Sequence, residues 1–320
     1  MANYLYLNAK LKERLSKRIS HHELIQLANA PNFNIALKLL EDGYYASYAK
    51  TYRKEGSFAK AELALLQEEI NLFKDLQPAL ASYLVKALLT GFEVDNLKMV
   101  INLWFSQMVF KKPLNGKTLF LEDLILWPIP YNQLLSAGSL ASFSQLLSYT
   151  PYGQIIMETA NKNSYQINLE LDRFFFSKLL LAINQLTGTG RLAAGRFLSS
   201  WLDFENLINA VKLRTSTVLI LEELYLEGGN LTLDNLKELS AYDIKIINYL
   251  KVNYHLNNPQ LEYNIVSFIE AAKTSVLKEQ AINMLADKKA NVTSVMAYYW
   301  LVLAEFKEIK TILQHHYYQS

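Results

Sequence analysis

Apolar residues recur at helical spacing along nearly the whole chain. Leu97, Val100, Ile101 and Trp104, for example, follow the i, i+3, i+4, i+7 spacing that places side chains on one face of an α-helix. No two runs of alternating apolar and polar residues are joined by Asn-Gly or Asp-Gly, and β-branched strands alternating with helices are missing. The pattern therefore predicts an all-α protein.

A nine-residue pattern, which we call the frame, occurs three times. It consists of an acid, an apolar residue, a polar residue, an amide or acid, Leu or Ile, two variable positions and two apolar residues. The copies are EVDNLKMVI at 93–101, DFENLINAV at 203–211 and EFKEIKTIL at 305–313. Recurrence at a spacing of roughly a hundred residues indicates a repeated structural unit. The sequence predicts one helical domain of three repeats, approximately 1–130 (with an N-terminal helix), 131–232 and 233–320.

The frame residues are expected to serve the fold. The apolar members are expected at equivalent buried positions of three helices, and they are Leu97, Leu207 and Ile309. The polar members are expected to hold helix ends and to form part of a polar wall, and they are Asp95, Asn96, Glu205, Asn206 and Glu308. Thr90 with Glu93, and Ser200 with Asp203, have capping-box spacing, which predicts that the first two helices begin there. The third copy lacks such a cap, so its helix is expected to run straight through.

Composition and charge narrow the function classes. Half of the residues are apolar (51%) and 19% are charged, which is typical of a folded chain. The formal net charge of +2 is too small to indicate nucleic-acid binding. With no cysteine, disulfides and thiolate metal sites are excluded. Apolar runs are shorter than the ~20 residues that cross a bilayer, so we expect no direct membrane insertion.

Candidate catalytic groups do not converge in the sequence. The frame carboxylates belong to separate repeats, whereas a metal needs several ligands at one point. The doublets His21-His22 and His315-His316 lack the i, i+4 spacing of a zinc-binding helix, and TGTGRLAAG at 187–195 does not fit the dinucleotide-binding glycine pattern. We therefore predict no catalytic residue, no cofactor and no metal. One basic cluster remains, interpreted as a solvated helix face or a docking surface for acidic loops: Lys10, Lys12, Arg14, Lys17 and Arg18.

Three stretches carry a family resemblance. NYLYLNAKLKERL near the N-terminus, HHELIQLANAPNFNIALKLLEDGYY after it and the closing AYYWLVLAEFKEIKTIL resemble the C subunit (also called the d subunit) of V-type and archaeal-type rotary ATPases. The resemblance covers essentially the whole chain and includes the recurring frame. Lys10 and Lys12 stand where Arg is expected, and Lys307-Glu308 replaces the acid-Asn pair.

The resemblance implies a non-catalytic subunit of the central rotor. Members of this family form a funnel of three similar helical units that is seated on the cytoplasmic face of the membrane rotor ring. The foot of the central stalk docks in the funnel, and the funnel links ion transport to ATP hydrolysis or synthesis. The alternative is an all-helical scaffold or adaptor unrelated to rotary ATPases. Such arrays normally have repeats of about 30–50 residues, shorter than the spacing seen here.

Overall fold

The structure, a computed structural model, describes residues 4–80, 83–108, 111, 120–159, 163–214, 220–256, 264–286 and 292–319. Across these ranges the regular secondary structure consists of α-helices, and none of these residues lies in a β-strand. The prediction of an all-α protein is confirmed.

Sixteen helices lie in the described ranges. They are α1 (Tyr4–Ser16), α2 (His21–Ala28), α3 (Phe33–Leu39), α4 (Ala46–Glu55), α5 (Phe58–Leu80), α6 (Tyr83–Met108), α7 (Tyr131–Leu135), α8 (Leu140–Leu146), α9 (Pro151–Glu158), α10 (Ser164–Asn184), α11 (Gly188–Leu213), α12 (Leu221–Leu224), α13 (Leu233–Ser240), α14 (Asp243–Tyr254), α15 (Ile265–Ala286) and α16 (Thr293–Gln319).

The chain divides into two compact units. Unit 1 comprises residues 1–179 and 302–320, and unit 2 comprises residues 180–301. The three predicted repeats do not coincide with these two units, and the division into three repeats stays a prediction.

In unit 1, the long helix α6 is buried on almost all sides. Leu88, Leu97 and Val100 each have no exposed surface, and α5 packs along this helix. A helix that is apolar all round is stable only when neighbours cover it. Side chains cap the ends of shorter helices. At the start of α2, for example, Ser20 and Glu23 form a reciprocal capping box. Unit 1 is thus organised around a long central helix.

In unit 2, α11 and α15 form the main helix pair, and α13 and α14 pack beside them. The hydrophobic core contains Phe204 and Leu207 of α11, Leu236 of α13, Leu250 of α14 and Ile269 of α15. Because buried side chains recur every three or four residues on these helices, the periodic pattern of the sequence leads directly to this packing.

The predicted starts of the first two frame helices are wrong. Helix α6 begins at Tyr83 and α11 begins at Gly188, well before Thr90 and Ser200. The Thr90 hydroxyl instead donates to the carbonyl of Lys86 at 3.0 Å. Buried apolar residues continue before both positions, so tertiary packing extends each helix past the apparent cap. Helix α16 runs through the third frame without a break, as predicted.

None of the helices in the described ranges combines the length and the apolar character that a membrane span needs.

Candidate functional site

The first acid of the first frame ties a loop and a short helix to α6. Glu93 is fully buried, and its Oε1 accepts the backbone N–H groups of Leu126 at 2.9 Å and Trp127 at 2.8 Å. Its Oε2 accepts the hydroxyl of Tyr152, on α9, at 2.7 Å. Several donors compensate the loss of water around this carboxylate, because hydrogen bonds to a charged acceptor are stronger than neutral ones.

The first acid of the second frame is arranged in the same way in unit 2. Asp203 on α11 is fully buried, and its Oδ1 accepts the backbone N–H of Leu231 at 2.8 Å. Its Oδ2 accepts the side-chain amide of Asn230 at 3.0 Å and the hydroxyl of Tyr254 at 2.9 Å. A carboxylate on a long helix again holds loop backbone on one oxygen and a tyrosine on the other.

The first acid of the third frame uses different donors. Oε1 of Glu305 on α16 accepts the hydroxyl of Tyr45 and, at 3.2 Å, Nε of Arg18. Arg18 also donates Nη2 to the hydroxyl of Tyr45 at 2.8 Å and Nη1 to Glu69 at 3.4 Å. The third acid thus binds a tyrosine and the Arg18 guanidinium, whereas the other two acids bind a tyrosine and loop N–H groups.

The sequence contains a partial signal for these contacts. Tyr45 belongs to LLEDGYY at 39–45 and Tyr152 to LLSYTPYG at 146–153, two stretches that share Leu followed by Tyr. The third partner, Tyr254, is the last residue of α14 and lies in no comparable stretch. An acid at the first position of each frame indicates a charge suited to a helix start, and the sequence alone does not reveal its buried role.

The two frame asparagines are placed alike. Asn96 donates Nδ2 to the carbonyl of Leu121 at 2.9 Å and accepts the N–H of the same residue at 2.7 Å. Asn206 does the same with Leu226, at 2.8 Å and 2.7 Å. A carboxamide can satisfy both groups of one residue because it carries a donor and an acceptor side by side. Both asparagines are buried, and both bind loop backbone, not a helix end.

The other polar frame residues do not bind these loop segments. Asp95 is exposed and pairs with Lys98 at 3.3 Å. Glu205 accepts Nε1 of Trp201 and Nζ of Lys273, each at 3.0 Å. Glu308 is exposed on α16. None of these contacts holds a helix end, so that role stays a prediction for these three.

The apolar frame residues lie in the core. Leu97 on α6 and Leu207 on α11 have no exposed surface, and Ile309 on α16 is 2% exposed. In the first two copies a buried asparagine directly precedes the buried leucine on the same helix, whereas Glu308, which precedes Ile309, is exposed.

Burial raises the pKa of the frame carboxylates Glu93 and Asp203. Loss of solvent raises the pKa of Glu93, although the N–H groups of Trp127 and Leu126 and the Tyr152 hydroxyl oppose the change. The same cause raises the pKa of Asp203 against the opposing effect of its own donors. Burial and the adjacent carboxylate raise the pKa of Tyr152 as well, so the tyrosine remains the donor.

Replacing Glu93 by glutamine should make the stability less dependent on pH. Because the pKa of Glu93 is raised, the folded protein holds this proton more tightly than the unfolded chain, whose pKa is near 4.5. The contribution of Glu93 to stability is therefore fully present below 4.5 and is lost as the pH rises through the higher folded value. Glutamine does not titrate, so the stability of the variant relative to the wild type should rise between about pH 4 and about pH 7.

Urea unfolding at several pH values measures this difference. The matched control is Glu68→Gln, since Glu68 is an exposed glutamate of unit 1. The relative stability of that control should stay nearly constant. A Glu93→Gln difference that is equally flat would show that the carboxyl is not desolvated as its burial indicates.

The basic cluster in and just after α1 is only partly open to solvent. The Arg18 side chain is 1% exposed, so it is not available to an outside partner. Arg14 is half-buried and donates to the hydroxyl of Tyr44 at 3.1 Å. Lys12 and Lys17 are exposed and Lys10 is partly so, which leaves these three for a partner surface. That surface stays a prediction.

Unit 1 also contains an open cavity of about 340 Å³ between α5, α6 and α16. Its walls include Leu63 and Leu66 of α5 and Phe306 of α16. Asp95 of the first frame and Lys307 of the third, which hold the same place in their copies, also line it. The cavity thus combines apolar walls with charges of both signs.

Metal-ligating residues are not grouped in the described ranges: no three His, Asp or Glu side chains there could hold one ion. Of the histidine doublets, His316 is buried and its Nε2 lies 2.9 Å from the carbonyl of Leu27. That contact joins α16 to α2 and is structural.

The helices and their buried polar contacts define an all-α protein in which long helices hold loops by carboxylate and carboxamide side chains. The sequence model of the ATP synthase (C/AC39) subunit family matches residues 7–320, nearly the whole chain. The chain therefore belongs to this family of V-type ATP synthase subunits, and the resemblance seen in the sequence is confirmed. No curated protein sequence matches the chain.

Proposed function

We propose that this protein is a non-catalytic subunit of the central rotor of a V-type ATPase. It couples the central stalk to the membrane rotor ring, so that ion transport stays linked to ATP hydrolysis or synthesis. The observation that carries the proposal is the family match over residues 7–320. The alternative of an adaptor unrelated to rotary ATPases is not compatible with that membership.

The buried polar contacts suit a part that transmits torque. A coupling protein has to resist deformation. Loops are the segments that open locally at the lowest cost in free energy. Glu93 and Asn96 bind the loop that follows α6, and Asp203 and Asn206 bind the loop between α12 and α13. Side-chain networks that satisfy every buried donor and acceptor make such regions rigid.

The proposed location is peripheral, on the cytoplasmic face of the membrane, where the rotor ring holds the protein. The proposed partners are the ring and the central-stalk subunits, with no nucleic acid. In unit 1 the cavity between α5, α6 and α16 supports a role in protein contacts, since apolar walls with a charged rim are typical of partner surfaces.

Isolation of the protein from its host tests the proposal. The tagged protein is purified from membranes in mild detergent and the companions are identified. We expect the membrane ring, the central-stalk subunits and the nucleotide-binding subunits to be recovered together. Recovery of the tagged protein alone, in the soluble fraction and without ATPase subunits, would overturn the proposal. An untagged strain carried through the same steps is the control for unspecific binding.

A further inference from the structure

The third acid of the frame takes its partners from the other end of the chain. In the first two frames, the acid accepts N–H groups of a loop that follows it by about 25 to 35 residues, at Leu126 and Trp127 for Glu93 and at Leu231 for Asp203. Glu305 instead accepts Arg18, which lies 287 residues away in sequence, and Tyr45. The guanidinium occupies the place that peptide N–H groups fill elsewhere.

We propose that Arg18 is a positioning residue that completes the third acid site and seats residues 302–319 of α16 on the N-terminal helices. We call the group Arg18, Tyr45, Glu69 and Glu305 the clasp. The proposal rests on the proposed function in one respect: the clasp is the contact that must hold when the protein transmits torque.

The geometry of the clasp requires arginine. One planar guanidinium donates to Glu305, to Tyr45 and to Glu69, and its side chain is 1% exposed. The rings of Tyr44 and Phe306 lie against its Cζ, with centroids at 4.8 Å and 5.1 Å. Lysine carries the same charge as a single point on a flexible stem and cannot bind three acceptors in a plane.

Further contacts continue the same attachment along α16. Lys310 pairs with Glu62 of α5 at 2.6 Å, and His316 contacts the carbonyl of Leu27 of α2 at 2.9 Å. The ring of Tyr317 meets Phe33 edge-on, with centroids 5.4 Å apart. The end of α16 therefore lies along the N-terminal helices, and the clasp is the charged contact at the start of this stretch, with Arg18 and Glu69 buried.

Opening the clasp would release residues 302–319 of α16 together from the rest of unit 1. Ile309 and Leu313 of α16 are buried in unit 1, and their burial depends on the helix staying in place. If the Arg18 guanidinium is lost, the fully buried Glu69 and the Glu305 carboxylate, whose side chain is 17% exposed, each lose a charged donor, which disfavours the closed arrangement. The segment would then open at a lower cost than global unfolding.

Two variants and a matched control test the clasp. Arg18→Lys keeps the charge, Arg18→Met removes it, and Lys17→Met removes the neighbouring exposed charge, which pairs with Glu13 on the surface. Hydrogen exchange in the isolated protein should speed up over residues 302–319 by at least about tenfold in both Arg18 variants and stay unchanged in the control.

In the membrane complex, both variants should hydrolyse ATP but move fewer ions per ATP.

A double variant separates positioning from simple loss of stability. Arg18→Met with Glu305→Gln removes the guanidinium and the carboxylate that pairs with it, while Glu69 keeps Arg14 at 3.5 Å. We expect its exchange rates to recover in part and its ion transport per ATP to stay low. Normal exchange in both Arg18 variants, or faster exchange with normal transport per ATP, would overturn the proposal. Failure of the wild-type protein to purify with the rotor would instead refute the proposed function.

Discussion

Replacing Asn206 by leucine is expected to destabilise unit 2 by about 2–4 kcal/mol. The side chain is fully buried and serves both the N–H and the carbonyl of Leu226, at 2.7 Å and 2.8 Å. Leucine has the same branched shape, with methyl groups in place of the amide oxygen and nitrogen, and cannot make either hydrogen bond, so two buried backbone groups lose their partner at once. Each orphaned group costs about 1–3 kcal/mol, and the added apolar burial offsets only part of this. Urea unfolding followed by circular dichroism measures the loss.

The same substitution at Asn96 should give a loss of similar size in unit 1, because that side chain holds Leu121 in the same way. The control is Asn102→Leu on the same helix, since Asn102 is exposed and accepts the side-chain amide of Asn168 at 3.0 Å on the surface. That change should cost within about 0.5 kcal/mol. If Asn96→Leu and Asn206→Leu are as mild as the control, and the rotary complex assembles normally, the frame asparagines do not hold the loops.

The helices could be predicted from the sequence because the apolar period of a helix is a local property. Leu97, Leu207 and Ile309 belong to that pattern, and Asn96 and Asn206 stand out because they recur beside it. What they bind could not be predicted. Their partners are backbone groups of Leu121 and Leu226. Every residue carries such groups, so the sequence does not indicate which ones are bound.

The wrong predictions have one physical source, which is contact between residues far apart in the chain. Thr90 has the spacing of a helix cap, yet buried packing before it extends α6. Arg18 lies among surface lysines in the sequence, and its carboxylate partners Glu69 and Glu305 are 51 and 287 residues away. Local charge patterns indicate a solvated face by default, and only tertiary structure shows which charge is enclosed.

Replacing Gly153 by alanine is expected to destabilise unit 1 by about 1–3 kcal/mol. Gly153 lies in α9, which packs against α8, and an added Cβ would stand 2.6 Å from the carbonyl oxygen of Leu147 and 3.0 Å from the nitrogen of Ser148. Both are backbone atoms that cannot turn aside, so α9 would have to move. Because Tyr152 precedes this glycine and donates to Glu93, the shift would also weaken the hydroxyl contact of the first frame. Urea unfolding measures the cost.

Gly195→Ala is the matched control for this steric argument. Gly195 lies inside α11, and a Cβ built there meets no atom within 4 Å. Alanine favours a helix over glycine, so this variant should be neutral or more stable by up to about 1 kcal/mol. Opposite signs for the two glycines would show that the close approach of α9 to the turn after α8, and not a general intolerance of larger residues, requires Gly153. Equal effects at both positions would contradict the steric explanation and leave the glycine of LLSYTPYG without a structural reason.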